Sequence, residues 1–238
     1  MSYTYATYTA ALAELMVTPS TDPNFVAIEP SIIDYAEQRI YRELDLLGTN
    51  ITDSTATLTA NNRNFTLPSG QGTFIVIDYI NVLTPVGSTA ANGTRTPLIP
   101  MSRDTIDVIY PSGQTATGVP QYFGMIDPGT VMLAPSPDAA YATEVIGTIR
   151  PTPLSSTNTT TILTTYVPDL FMAASMVFAS GYMRNFGSQA DDPRMSQSWE
   201  SQYQLLKASA QTEQARQRFE SWGWSSGNPQ KETSIPRA

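Results

Sequence analysis

Apolar positions follow a helical rhythm at both ends of the chain and a strand-like rhythm between them. From Tyr5 to Met16, the residues Tyr8, Leu12, Leu15 and Met16 gather on one side of a short helix, which Thr18-Pro-Ser-Thr-Asp-Pro23 should stop. Ser31 to Leu47 carries a longer stripe of Ile33, Ala36, Ile40, Leu44 and Leu47 at spacings of three and four. Asp34, Glu37, Arg39, Arg42 and Glu43 lie elsewhere on that wheel. Pro30 suits the first turn of this helix and Gly48 its C-terminal cap.

From Ile51 to Leu154 the chain is rich in Thr, Val, Ile, Gly and Pro, the vocabulary of strands and turns. Ala56-Thr-Leu-Thr and Asn64-Phe-Thr-Leu read as short strands around an Asn61-Asn62 turn. Phe74 to Leu83 is apolar on both alternating sets and predicts a central strand. Thr84 to Thr96 reads as a loop. Ser102 to Ile109 predicts a short helix, with Ile106, Ile109 and Tyr110 facing the core. Gln121–Ile126 and Val131–Ala134 flank an Asp127-Pro-Gly turn. Ala139 to Arg150 predicts another strand, with Tyr141, Thr143, Val145 and Ile149 on one face. These pieces imply an antiparallel sheet with hairpin connections.

Pro151-Thr-Pro153 and the Ser/Thr run from Ser155 to Thr161 mark the exit from the strands. Helix resumes at Pro168-Asp169, and Leu170 to Phe186 is apolar on nearly all sides, as the central helix of a bundle would be. Within it the apolar run Leu170 to Met183 is too short and too interrupted, by Ser175, Ser180 and Gly181, to read as a membrane span. Asp191-Asp192-Pro193 predicts the start of a last long helix, with Trp199, Tyr203, Leu206 and Ala210 on one stripe that weakens before Phe219 and Trp222. The fold class expected is α+β: a helical bundle of residues 1–48 and 160–222, an antiparallel β-rich insertion of residues 49–159, and a flexible polar tail of residues 223–238.

Composition narrows the chemistry. The 238 residues include no Cys and no His, so no thiolate metal site, disulfide, Ser-His or Cys-His arrangement is available. No cofactor is expected, and an enzyme would have to work with carboxylates, Lys or Tyr. Charged residues make up only 14% against a usual roughly 25%, leaving a surface of Thr, Ser, Asn and Gln suited to packing against copies or partners. The net charge of −8 gives no phosphate-neutralising affinity for nucleic acid. The N-terminus lacks a basic region followed by an apolar core, so no targeting segment is read there.

Several segments, in order, resemble the head-to-tail adaptor (connector or gatekeeper) proteins of tailed phages. Ala36-Glu37-Gln-Arg39-Ile40-Tyr-Arg42-Glu-Leu44 is similar to an Ala-Glu-x-Arg-Ile-x-Arg-x-Leu pattern in their first long helix. Pro97-Leu98 through Ser102 to Tyr110 resembles their Pro-Leu-x-x-x-Ser…Leu-x-x-x-Tyr segment, with Ile106 in place of the Leu. Gly118-Val-Pro-Gln-Tyr-Phe123 resembles a Gly-x-Pro-x-Tyr-Tyr strand. The most specific piece is Thr130-Val-Met-Leu-Ala-Pro-Ser-Pro-Asp-Ala-Ala-Tyr141, followed in the family's order by Arg150-Pro151, Leu154-Ser155 and Val167-Pro-Asp-Leu170. The resemblance runs from about residue 28 to about residue 206; the Ser/Thr linker and the tail depart from it.

The resemblance implies a non-enzymatic virion protein, assembled in the host cytoplasm into a ring of about twelve copies at the head-to-tail interface. Its partners would be the portal protein and tail nozzle or tail-fibre proteins, with double-stranded DNA passing through the lumen without specific binding and no membrane contact. C-terminal segments of such proteins often order against the portal.

Arg39 and Glu43, four apart on one helix, suit either intrahelical pairing or pairing between subunits. Arg42, Arg216, Phe219, Trp222 and Trp224, with Pro229 and Ile235 of the tail, complete the candidate subunit or portal interface, where Trp and Arg are enriched. Asp127, Asp138 and Asp191-Asp192 read as turn or helix-start residues rather than a metal or acid pair. A host-surface carbohydrate-binding tail module and a carboxylate-only cell-wall hydrolase are the alternative readings.

Overall fold

The computed structural model describes residues 2–113, 116–183 and 193–221, and the chain in it is mixed α+β. It divides into two compact units: the described residues of Met1–Leu47 and Pro153–Ala238, and those of Gly48–Thr152.

The first unit is helical. Helix α1 (Tyr5–Leu15) opens with a reciprocal capping box, in which the Thr4 amide donates to Thr7 Oγ1 at 2.8 Å and the Thr7 amide donates back to Thr4 Oγ1 at 3.4 Å. It closes through a Schellman turn, the Thr18 amide donating to the Ala13 carbonyl at 3.0 Å. The left-handed position of that turn belongs to Val17 (φ 54°), where glycine is the usual occupant.

Helix α2 (Pro23–Glu43) is longer than its stripe predicts. Asp22 caps it, accepting from the amides of Asn24 and Phe25 at 2.8 and 3.2 Å, and Pro23 holds the first position, so Pro30 lies inside the helix and not in its first turn. An Asp-Pro pair satisfies a free amide and presets φ, whereas Pro30 only deletes one hydrogen bond from a helix already nucleated. The helix ends where Leu44 turns extended. Leu47, 38% exposed, therefore falls in a 3-10 turn (Leu47–Thr49) off the stripe, and Gly48 does not cap the helix.

Beyond the Ser/Thr run, a second Thr-Thr capping box (Thr161 and Thr164) starts the short helix α4 (Ile162–Tyr166), which periodicity alone did not reveal. Helix α5 (Pro168–Met183) follows directly. Its Leu170, Phe171, Ala173, Ala174, Met176 and Ala179 are all buried, because α1, α2, α4 and α6 (Pro193–Ser221) pack around it. The buried Tyr8 is paired at its polar end: its ring stacks on Phe171 (centroids 4.4 Å apart) and its hydroxyl lies 2.6 Å from Ser175 Oγ. Residues 184–186 and 191–192, expected to end α5 and open α6, lie outside the described residues.

The second unit holds the strands β1 (Asn50–Asp53), β2 (Asn64–Thr66), β3 (Gly72–Thr84), β4 (Thr94–Pro97), β5 (Ile99–Pro100), β6 (Thr117–Gly118), β7 (Tyr122–Asp127), β8 (Thr130–Ala134), β9 (Ser136–Pro137) and β10 (Thr143–Pro151), with helix α3 (Arg103–Ile109) between β5 and β6. One four-stranded sheet has the order β1-β10-β3-β4, which makes β3 interior, and is antiparallel throughout. A second has the order β2-β8-β7-β5, and a two-stranded piece joins β6 to β9. The β5–β7 and β6–β9 pairs are parallel, a departure from the all-antiparallel expectation; each is two residues long, a brief return of the chain and not a hairpin.

Thr57 makes only an isolated bridge to Ala142, and β2 pairs with β8, so the expected strand pair around Asn61-Asn62 does not form. The turn itself does, with Asn61 at φ 60°. Phe74, Ile80, Val82, Val145 and Ile149 of the first sheet share an apolar core with Phe65, Phe123, Val131 and Leu133 of the second. Two register shifts occur in β10 against β3, and Ile75, Val76 and Tyr79 stand exposed, so this middle part of β3 is covered on one face only, whereas Ile80, Asn81, Val82 and Leu83 at its end are buried on both faces. In α3, Ile106 is fully buried, but Ile109 is 52% exposed, contrary to expectation, because Tyr110 covers the core there as the chain leaves the helix.

Candidate functional site

The densest charged constellation among the described residues lies on α2 and α6 of the helical unit. Arg39 donates through Nη1 to Glu200 Oε2 at 2.7 Å and through Nη2 to Glu200 Oε1 at 2.6 Å, a two-bond fork. Its Nε donates to Glu43 Oε1 at 3.0 Å. The guanidinium lies 4.0 Å from the centroid of the Tyr203 ring, adding a cation–π contact. Glu43 Oε2 in turn accepts from the Tyr203 hydroxyl at 3.0 Å and pairs with Lys207 Nζ at 2.7 Å. Gln204 Nε2 donates to Glu200 Oε1 at 2.7 Å.

Helical spacing builds this cluster. Arg39 and Glu43 are one turn apart on α2, while Glu200, Tyr203, Gln204 and Lys207 occupy consecutive turns of one face of α6. Fully buried Tyr203 belongs to the apolar stripe and pulls its charged neighbours against α2.

The electrostatics follow from the contacts. The Glu200 pairing holds the Arg39 guanidinium protonated beyond its ordinary range. Partial burial alone would raise Glu43, but hydrogen bonds from Lys207, Arg39 and Tyr203 outweigh it and hold that carboxyl below its usual value. Arg39 does the same for Glu200. Burial, and then the bond to Glu43, push the Tyr203 phenol upward. Two carboxylates held ionised supply no general acid, and a carboxylate pair working on glycosidic bonds needs one. The arrangement is a clamp between helices.

An open groove of about 590 Å³ borders the clamp, lined by Tyr35, Arg39, Arg42, Glu43, Val177 and Glu200. Tyr35 stacks on Phe178 beside it, centroids 4.9 Å apart. Arg42 runs along the solvated side of α2, donating to the Gln38 carbonyl at 3.0 Å, while Gln38 reaches Asp34 at 2.8 Å.

Of the residues singled out in the sequence, Arg39 and Glu43 meet in the clamp, and Arg42 lines the groove. Arg216 stands exposed on α6, and Phe219 falls within the same helix. Trp222, Trp224, Pro229 and Ile235 lie outside the described residues. Glu200, Tyr203 and Lys207 were not foreseen as partners of Arg39 and Glu43. Their spacing on the Trp199–Tyr203–Leu206 stripe was visible, but not which helix it would face.

Elsewhere, polar side chains serve the backbone. Asp127 Oδ1 accepts from the Gly129 amide at 2.8 Å in its turn, and Asp138 Oδ1 accepts from the Tyr141 hydroxyl at 2.8 Å. Arg95 forks onto buried Glu144 at 2.7 and 2.9 Å and ties the β3–β4 loop through the Ala90 carbonyl at 2.9 Å. Among the described residues, no group of three or more acidic side chains could hold a metal ion, and no helix is long and apolar enough to cross a membrane.

Comparison with known families matches the chain to the model described as SU10 adaptor protein, over residues 3–229. No curated protein matches the chain.

Proposed function

The chain belongs to the SU10 adaptor protein family, and on that premise we propose that it is a structural subunit of a phage virion that joins the portal to the tail. About twelve copies would close a ring through a heterologous interface, one subunit's patch meeting a different patch on the next. The ring would carry DNA through its lumen without binding it. The observation that carries this reading is the family match, which spans nearly the whole chain and both compact units.

Two physical features support it. The clamp engages Arg39, Glu43, Glu200 and Lys207 with one another inside the helical unit, giving a stiff scaffold. The net charge of −8 suits a passage that repels phosphate. The subunit and portal contacts proposed are Arg42 and Arg216, with Phe219, Trp222, Trp224, Pro229 and Ile235 following on in the sequence, and with Arg39 and Glu43 contributing through the groove that they line. The tail of residues 223–238 would order on the portal. Assembly would take place in the host cytoplasm, and the finished protein would reside at the head-to-tail interface, touching tail nozzle or fibre proteins on its other side.

Light scattering of the purified chain, alone and mixed with the portal protein, tests the reading, followed by electron microscopy of the particle. The expected result is a monomer alone, a ring with portal, and a symmetric layer beneath the portal vertex. A chain that stays monomeric beside assembled portal, or a particle lacking it at that vertex, overturns the proposal.

A further inference from the structure

Glu37 lies on the side of α2 away from the clamp and is 3% exposed. Its Oε1 accepts one hydrogen bond, from the Leu154 amide at 3.0 Å, and among the described residues no basic side chain pairs with it. Arg39 and Glu43, its neighbours in sequence, turn instead to α6. The Tyr41 hydroxyl, one turn along the same helix, is buried without a hydrogen-bond partner. Leu154 is the second residue of the stretch 153–161, where the chain re-enters the helical unit.

A carboxylate with one neutral donor and no cation is poorly stabilised inside an apolar core, whereas its protonated form is neutral. Ionisation therefore demands either water or a new donor, and both require the covering layer to move. The cover differs in strength on its two sides. Helix α1 buries Tyr8, Leu12 and Ala13. The stretch 153–161 is irregular and buries Leu154 and Thr161, and its hydrogen bonds include local ones, such as Asn158 to the Pro153 carbonyl at 3.1 Å, Ser155 to the Asn158 carbonyl at 2.9 Å and the Thr161 amide to Thr164 Oγ1 at 2.8 Å, and one from the Tyr5 amide to the Thr159 carbonyl at 2.8 Å. Segments with few buried side chains open first.

We propose that Glu37 is a proton-dependent latch on this re-entering segment: protonated, it stays closed under Leu154; ionised, it opens the 153–161 stretch to water, with the Tyr41 hydroxyl turning to donate to the carboxylate. The groups acting on Glu37 fit this. Asp34 on its own helix opposes ionisation, as burial does more strongly, and the two together bring the carboxyl up to about 7 against the pull of the Leu154 amide. Tyr8 of α1 and Tyr41 of α2 are both held as neutral phenols, by burial first and by Glu37 in addition. Helix α5 presents Ser175, already bonded to Tyr8, and residues 153–161 include no titratable side chain.

Hydrogen exchange of the full chain at pH 6 and pH 8, corrected for intrinsic exchange rates, tests the latch. The Leu154 amide should lose about tenfold or more of its protection between these values in the wild type and none in Glu37→Gln, while the amides of α5 keep theirs. Equal protection at both pH values, or the same loss in Glu37→Gln, overturns the proposal. If that variant does not fold, the carboxyl carbon of Glu37 followed by NMR in the wild type decides: a midpoint near neutrality supports the latch, and one in the ordinary carboxylate range overturns it.

Discussion

Arg39 and Glu200, 161 positions apart in sequence, meet as a planar two-bond pair with both contacts at 2.7 Å or less. The pair joins α2 to α6, and Tyr203 beneath the guanidinium supplies an aromatic floor. Cross-helix anchorage thus falls on a residue whose intrahelical partner, Glu43, is the only one apparent from the sequence.

Replacing Arg39 with Met should destabilise the helical unit by about 1.5–3 kcal/mol, the range for losing hydrogen bonds to charged groups. Arg39→Lys should recover only part of this, since an ammonium cannot fork onto Glu200. Urea unfolding of the single variants and of the double variant with Glu200→Met gives the coupling energy. A coupling indistinguishable from zero would show that the clamp contributes nothing. Because Glu43 and Glu200 are held below their ordinary range, their contribution is present above the unfolded value of 4.5 and lost as pH falls through the folded values. Arg39→Met should therefore flatten the acid limb of the stability curve.

Glu37 acts in the opposite direction. Burial raises its folded value to about 7 from 4.5, so the folded state binds the extra proton between those limits. Its contribution is complete below 4.5 and is lost as pH rises through about 7. Glu37→Gln, which keeps an oxygen acceptor for Leu154, should match the wild type near pH 4 and exceed it at pH 8 by on the order of 2–3 kcal/mol. Denaturation midpoints at the two pH values measure this; a variant weaker than the wild type at pH 8 would contradict it.

Val17 is 89% exposed and sits at φ 54°, a region a β-branched residue enters only at a cost. Val17→Gly relieves that strain, loses almost no packing, and gives back some unfolded-state entropy. A net gain of about 1 kcal/mol is expected, read as a higher thermal midpoint. An unchanged or lower midpoint would mean that the strain is negligible.

Gly147 lies at a register shift between β10 and β3, where an added Cβ would stand 2.1 Å from the Val76 carbonyl oxygen. That obstacle is backbone and cannot swing aside, so Gly147→Ala should cost more than about 3 kcal/mol and separate the two strands. Loss of amide protection along β3, with α5 unaffected, is the expected signature. Near-wild-type stability would show that the strands shift without loss.

Much of the architecture was legible because it depends on short-range signals. The Ile33–Ala36–Ile40–Leu44 stripe, the all-round apolar α5, the Asp127-Pro-Gly turn and the two faces of β3 each declare themselves within a dozen or so residues. The misplaced start of α2 shows the limit of that reading. Pro30 and Asp22-Pro23 are both plausible beginnings, and the choice rests on whether residues 23–29 have something to pack against, which Phe25 finds in the core shared with α1 and α5.

The sequence by itself located the long helices and the longer strands, though not α4 or β4, and determined the absence of His and Cys chemistry and, through ordered motifs, the resemblance to an adaptor family. Tertiary structure alone decided that Arg39 faces Glu200, that Glu37 closes over Leu154, and that β2 pairs with β8 and not with its sequence neighbour. Local pattern reports how a segment buries its own surface. Which distant segment supplies the other half of a salt bridge, a buried hydrogen bond or a strand pair is set by how those surfaces fit together, and no single stretch of sequence contains that information.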